Sequence, residues 1–176
     1  MTHAQVGVAF CTWLASATGL AVGRIIYTPP AAPSTPEPPY IEAHFIVKGR
    51  AYGHDEVLVE DDQDILRGDR KDFIRVQVHG TGAIDYAESI RDYLFNPLGI
   101  SQADELGLAI LAIGESAPLD IDVDGQFVER AILECEVGYV RTKTLTVEQG
   151  GGTLEHVNLT ADFGDAGTEV MTIDAP

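Results

Sequence analysis

The segment Val123-Asp124-Gly125-Gln126-Phe127-Val128-Glu129-Arg130-Ala131-Ile132-Leu133-Glu134-Cys135-Glu136-Val137-Gly138-Tyr139 decides how the rest of the chain is read. Asp-Gly ahead of alternating apolar residues is the signal of a tight turn feeding a strand. Ala131, Leu133, Cys135, Val137 and Tyr139 occupy one face, and Arg130, Glu134 and Glu136 the other. A period of two buries one face and leaves the second to water or to a neighbour. The segment reads as scaffold, a long strand over residues 126–141, with no reaction centre in it.

The same stretch imitates a calcium loop. Asp120, Asp122, Asp124 and Gly125 reproduce the start of an EF-hand, where alternate carboxylates donate oxygens and glycine makes the turn. The closing position needs a bidentate Glu and holds Ala131. Glu129 comes too early, and a strand follows where a helix is required. A turn is the better reading.

Working outward, residues 1–23 contain no Asp, Glu, Lys or Arg, but the basic start of a signal peptide is missing. Val6, Phe10, Trp13, Leu14 and Ala17 recur at helical spacing, which predicts an amphipathic helix ending at Gly19 and packed on the domain or on a neighbour. Gly7, Thr12, Ser16 and Thr18 make this run a poor membrane span. Six prolines in residues 28–39 mark a stiff extended connector. Beyond it, residues 40–48 alternate, with Ile41, Ala43, Phe45 and Val47 on the inner side, and a turn is expected over 49–53. A weaker strand follows at 57–60, and then a charged loop over 61–72 around Gly68. Residues 73–79 alternate strictly, with Ile74, Val76 and Val78 inward. Ile84, Ala87, Ile90, Tyr93 and Leu94 predict a second helix, stopped by Asn96-Pro97. Residues 106–113 read as a strand because Gly107 and Gly114 weaken a helix. After the long strand come 144–147, a turn at Gly150-Gly151-Gly152, and a strand at 153–158.

The expected fold is α+β, an antiparallel β-sheet with two main helices packed against it. The expected organisation is an N-terminal helix and its exit (1–27), the proline-rich linker (28–39), the core of the same single domain (40–158) and an acidic C-terminal tail (159–176).

Charge limits the function. The 176 residues carry a formal net charge of -17, and all but Glu37 and Arg24 of the charged residues lie beyond residue 39. Such a field argues against gripping nucleic acid, which needs clustered Lys and Arg. It is compatible with a polyanion passing an acidic wall without sticking. Cys11 and Cys135 lack paired spacing and read as buried thiols.

Searches for chemistry find no catalytic residues, metal ligands or cofactor loop. Gly114-Glu115-Ser116-Ala117-Pro118 lacks the second glycine of a nucleophile elbow, and Gly150-Gly151-Gly152 has no lysine or helix after it. His54 beside Asp55 and Glu56 is the best metal candidate, and a solvated turn explains it better. Glu134 and Glu136 share a face, read as solvated or intersubunit and balanced by Arg130. The candidate subunit or partner interface is the mixed-charge set Asp61, Asp62, Asp64, Arg67, Arg70 and Lys71, together with Arg130, Glu134, Glu136 and Trp13.

Three stretches, in this order and spacing, resemble the tail-terminator (neck) proteins of tailed bacteriophages. They are Pro39-Tyr40-Ile41-Glu42, then residues 70–80 running into the second helix, then Ile113-Gly114 followed by 123–139 with Glu129-Arg130-Ala131 at its centre. The resemblance spans residues 4–147 and leaves 148–176 unmatched. It implies a virion protein forming a ring, a hexamer by family expectation, at the head-proximal end of the tail tube. Such a ring ends tube growth and joins the tail to head-completion proteins. Its partners would be itself, the tail tube protein and the connector proteins, with DNA only in passage and no membrane. Another ring of the head–tail connector, or a small metal- or ligand-binding domain using residues 120–124 or 54–56, are the alternatives.

Because Ala131 stands where calcium's closing ligand would be, EDTA should leave the melting temperature unchanged. A calcium-dependent shift of several degrees would restore the loop reading.

Overall fold

The computed structural model describes residues 1–27, 36–60, 63–119, 121–123, 126–145, 156–162 and 168–174. Helix α1 (His3–Thr18) opens with a capping box in which the Thr2 hydroxyl accepts from the Gln5 amide and the Gln5 side chain accepts from Thr2. It ends at Gly19, whose φ of 71° is the left-handed cap that only glycine adopts without cost. Val6, Phe10, Trp13 and Leu14 of the expected stripe are wholly buried.

A short turn of 3-10 helix (Val22–Arg24) leads to β1 (Ile25–Tyr27). Then come β2 (Tyr40–Ala51), β3 (Glu56–Glu60) and β4 (Gln63–His79). Helices α2 (Ala83–Phe95) and α3 (Pro97–Glu105) follow, then β5 (Leu108–Ile113) and β6 (Ala117–Pro118). Strands β7 (Ile121–Val123) and β8 (Gln126–Val128) pair with each other ahead of β9 (Arg130–Leu145). Strands β10 (His156–Asp162) and β11 (Thr168–Asp174) form a separate antiparallel pair.

The main sheet is open and has seven strands in the order β1-β2-β4-β9-β5. Strand β3 lies end to end with β2 along one edge of β4, and β6 with β5 along the far edge of β9. The centre is the antiparallel β4–β9 ladder, in register from Asp64↔Leu145 to His79↔Arg130. Its inner face carries Ile74, Val76, Val78, Ala131, Leu133, Cys135 and Val137, all buried against the three helices. Each Ile, Val or Leu in that row contributes roughly 1.5–3 kcal/mol by leaving water. The alternation read in residues 73–79 and 131–139 is the alternation observed.

Several expectations are corrected. The sheet is mixed, because β1 runs parallel to β2 with Ile25 opposite Ile41. Alternation carries no strand direction, and the twelve residues between Tyr27 and Tyr40 suffice to bring the chain back to the same end. Val47, expected inward, is 40% exposed because irregularities on both sides of it re-aim the strand. The charged loop over 61–72 is strand from Gln63 onward, and the turn expected at 49–53 falls after Ala51. Residues 159–176, expected as an acidic tail, hold the whole of β11 and the end of β10. A third helix, α3, follows the predicted stop directly: Asn96 accepts from Leu98 N and so caps a new helix with Pro97 in its first turn.

Gly99 explains how α3 seats. A Cβ there would overlap the Tyr93 carbonyl, so only glycine lets α3 fold this tightly against the end of α2. Its own carbonyl accepts from Trp13 Nε1 at 3.0 Å in a buried setting. Trp13→Phe should leave that carbonyl without its donor and a void where the second ring stood, costing more than the about 1–2 kcal/mol of the bond alone in urea unfolding followed by circular dichroism. An unchanged midpoint would show that the bond adds nothing.

Candidate partner interface

The inner apolar face of the ladder stops near Asp72 and Tyr139. Past them the first half of β4, the last residues of β9 and all of β3 form a three-stranded arm. Four of the interface candidates, Asp64, Arg67, Arg70 and Lys71, sit on this arm, in strands and not in a loop. Asp64 lies opposite Val59 and Leu145, and Arg67 opposite Glu56 and Thr142. Asp61 and Asp62 lie outside the described residues. The sequence suggested a loop because Gly68 and the charges dominate the stretch, but the segment is strand, and Arg70 and Lys71 find their partners on other segments. A Cβ at Gly68 would overlap the Asp55 carboxylate, so glycine makes room for an ion pair. There Arg70 donates Nη1 to Asp55 Oδ1 and Nη2 to Oδ2, both at 2.6 Å. That bidentate bond holds the Asp55 carboxyl below, and the Arg70 guanidinium above, its ordinary pKa.

The outer face of the ladder carries two more pairs. Lys71 Nζ meets Glu136 Oε2 at 3.0 Å and lies 5.3 Å and 5.1 Å from the ring centres of Tyr52 and Phe73. Arg75 Nη2 meets Glu134 Oε1 at 2.7 Å. Arg130, expected to balance Glu134 and Glu136, stands instead opposite His79 at the far end of the ladder. Residues two apart share a face, but the register with a neighbouring strand chooses the partner, and that register is tertiary. Exposed pairs of this kind contribute about 0–1 kcal/mol, so they order the face more than they stabilise it.

Two candidates are not surface residues. Trp13 has no exposure and stacks between Phe10 and Tyr93, with ring centres 6.0 Å and 5.6 Å away, so it is core and not contact surface. Asp72, placed by sequence in the charged loop, is also wholly buried. Its Oδ1 accepts from Gly49 N at 2.5 Å and from the Tyr139 hydroxyl at 3.2 Å, and His3 Nδ1 lies 3.5 Å from Oδ2. It ties the start of α1, the bend of β2 and the end of the core together. Burial first, and the Asp72 charge second, push the Tyr139 hydroxyl far up in pKa.

Two apolar surfaces escaped the sequence. One is a groove of about 370 Å³ on the outer face of the arm, lined by Leu58, Ile65, Val140, Thr142, Thr144 and Arg67. The other is the α2–α3 elbow, where Phe95, Leu98 and Ile100 are 75%, 70% and 57% exposed. The apolar spacing of residues 95–100 follows no single period, because two short helices meet there.

The chemical candidates are scattered. Ser116 precedes a two-residue strand, where a nucleophile elbow requires a helix. Both Asp55 oxygens are taken by Arg70, and among the described residues no group of three His, Cys, Asp or Glu could hold a metal ion. The side chains of residues 120–125 lie outside the described residues. Cys11 and Cys135 are free and buried, and burial raises their thiols to about 11 and about 12, too high for thiolate chemistry. No helix among the described residues is long and apolar enough to cross a membrane.

His79 is a histidine whose titration the fold perturbs. It is 5% exposed and stacks on Tyr40 at 4.5 Å, with Glu42, His44 and Arg130 facing it. Its Nε2 lies 3.4 Å from Glu42 Oε2 without the alignment of a hydrogen bond. Burial outweighs the Glu42 attraction and lowers the His79 pKa. A lowered histidine pKa means the unfolded chain takes up a proton before the folded one does. Its contribution is therefore complete above about pH 6.5 and is lost as pH falls from there toward the folded value. Chemical unfolding should show stability rising with pH between about 5 and 7, by at most about 1.4 kcal/mol per pH unit, with the slope reduced in His79→Gln. An unchanged slope in that variant would assign the effect elsewhere.

The comparisons with known proteins bear on this surface. No curated protein matches the chain. The family model described as phage neck terminator protein matches residues 9–166, which extends past the 4–147 span read from the sequence. With 158 of its 176 residues inside that match, the chain belongs to the phage neck terminator proteins, structural components of the virion's neck that act in contact with other tail and head–tail joining proteins.

Proposed function

We propose that the protein closes the head-proximal end of the tail tube as a ring of identical subunits, six by the family expectation. The ring stops tube growth and presents a surface to the head-completion proteins, and DNA passes through its lumen. Subunits are made and assembled in the host cytoplasm and end at the head–tail joint.

The observation that carries this reading is the net charge of -17 on a neck protein. Copies sharing an axis multiply that charge around a common channel. A protein that grips DNA needs cations at the phosphates. A conduit gains from the opposite sign, because every wall repels the polyanion alike. The described helices and sheet offer surfaces for neighbours, the outer sheet face and the α2–α3 elbow, and the charged pairs on the arm are structural. The same repulsion opposes assembly, so closure rests on apolar contact, on salt, or on the tail tube as template.

Phage lacking the protein should accumulate tails of irregular length that do not join heads, and supplying the chain should restore both properties. Tails of normal length that fail to join would move the chain to an adjacent connector ring. Tails of normal length that join filled heads would refute the neck-closing role. In solution the chain should be largely monomeric at low salt and associate as salt is raised, measured by light scattering.

A further inference from the structure

Resting on the ring reading, we infer that neighbouring subunits meet head to tail, the Phe95–Leu98–Ile100 elbow of one copy seated in the Leu58–Ile65–Val140 groove of the next. The two surfaces lie on opposite faces of the sheet. The elbow belongs to the helical layer, and the groove opens on the outer face of the arm. A chain cannot bring them together within itself. A contact between two different patches is heterologous, and such contacts close into rings when the rotation allows.

The elbow is built to be rigid. Leu98 and Ile100 flank Gly99, which is buried between the Tyr93 carbonyl and the indole of Trp13. Tyr93 donates its hydroxyl to Gln102 at 3.1 Å, and Gln102 donates to Ser16 at 2.6 Å, so α1 holds α3 from behind. Large apolar side chains on a fixed frame lose little freedom on docking. Without a partner they are costly exposed surface.

Charge selects a second copy as the occupant. Residues 83–105 carry Asp85, Glu88, Asp92, Asp104 and Glu105 against Arg91, a net of -4. The strands framing the groove, residues 56–60, 63–71 and 140–145, hold Arg67, Arg70, Lys71, Arg141 and Lys143 against Glu56, Glu60, Asp64 and Asp69, and Asp61 and Asp62 between the first two bring the stretch to a net of only -1 in a chain of net -17. Among the described residues Arg67 is the one charged side chain lining the groove, and it is exposed. An acidic knob therefore meets the part of its neighbour that repels it least, with a cation at the contact.

The test uses the full chain in sedimentation velocity at physiological and at high salt. Leu98→Asp and Ile65→Asp should each weaken self-association by about thirtyfold or more. Arg67→Glu, a substitution at an exposed side chain, should weaken it in the same direction and guards against misfolding of the groove variant. Unchanged circular dichroism and melting identify variants that fold. An equimolar mixture of the Leu98 and Ile65 variants keeps one intact knob and one intact groove per pair. It should form dimers and nothing larger, an outcome unique to a head-to-tail contact. Wild type that assembles while Leu98→Asp and Arg67→Glu assemble equally well overturns the contact and leaves the ring reading standing. A mixture that stays monomeric also overturns it. Wild type that remains monomeric at both salts overturns the ring reading for the free chain and this contact with it.

Discussion

The β4–β9 ladder is the constraint on which the rest depends. It keeps one register from Asp64↔Leu145 to His79↔Arg130, and that register assigns each residue of both strands to a face. Slipping β9 by one residue against β4 would turn Leu133 and Val137 outward and bring Glu134 and Glu136 into the core. The cost of that exchange, two carboxylates dehydrated and two large side chains exposed, is what specifies the register. The helices pack where the row is apolar. The arm begins where it ceases to be, just beyond the buried Asp72.

Asp72 marks this boundary chemically. A buried carboxylate survives only with donors around it, and here Gly49 N and the Tyr139 hydroxyl supply them while His3 approaches the second oxygen. Three distant segments are thereby drawn to one point. Arg70 and Asp55 do similar work one turn of pleat further out, in the space that Gly68 leaves open. Ion pairs along Arg75–Glu134 and Lys71–Glu136 then line the outer face in strips of alternating sign.

For a neck protein this division has a mechanical sense. A protein that works in contact with other neck components gains from surfaces ordered before contact, because little freedom is then lost on docking. The elbow, braced by Trp13 through Gly99, and the arm, braced by cross-strand pairs, are both of that kind. In the proposed ring their apolar centres supply the contact area, and the acidity of the remainder opposes adhesion to nucleic acid.

Much of this was legible in the chain. The inner faces of β4 and β9, the stripe and glycine cap of α1, the body of α2 and the buried thiols all follow from periodicity and composition, because burial of a regular element leaves its period in the sequence. The order of elements also carried the family. What the chain could not show were facts of contact between distant segments. Asp72 looked like one more loop carboxylate until Gly49 and Tyr139 were placed beside it. Arg130 was the nearest cation in sequence to Glu134, but the ladder handed Glu134 to Arg75 and Glu136 to Lys71. Trp13 could have faced a neighbour, and α3, a helix of nine residues around a glycine, covers it instead. Sequence by itself determined which faces are apolar, since that is a local property of composition. Tertiary structure alone decided which charges meet, which surfaces remain open and which way β1 runs, since each depends on residues dozens of positions apart.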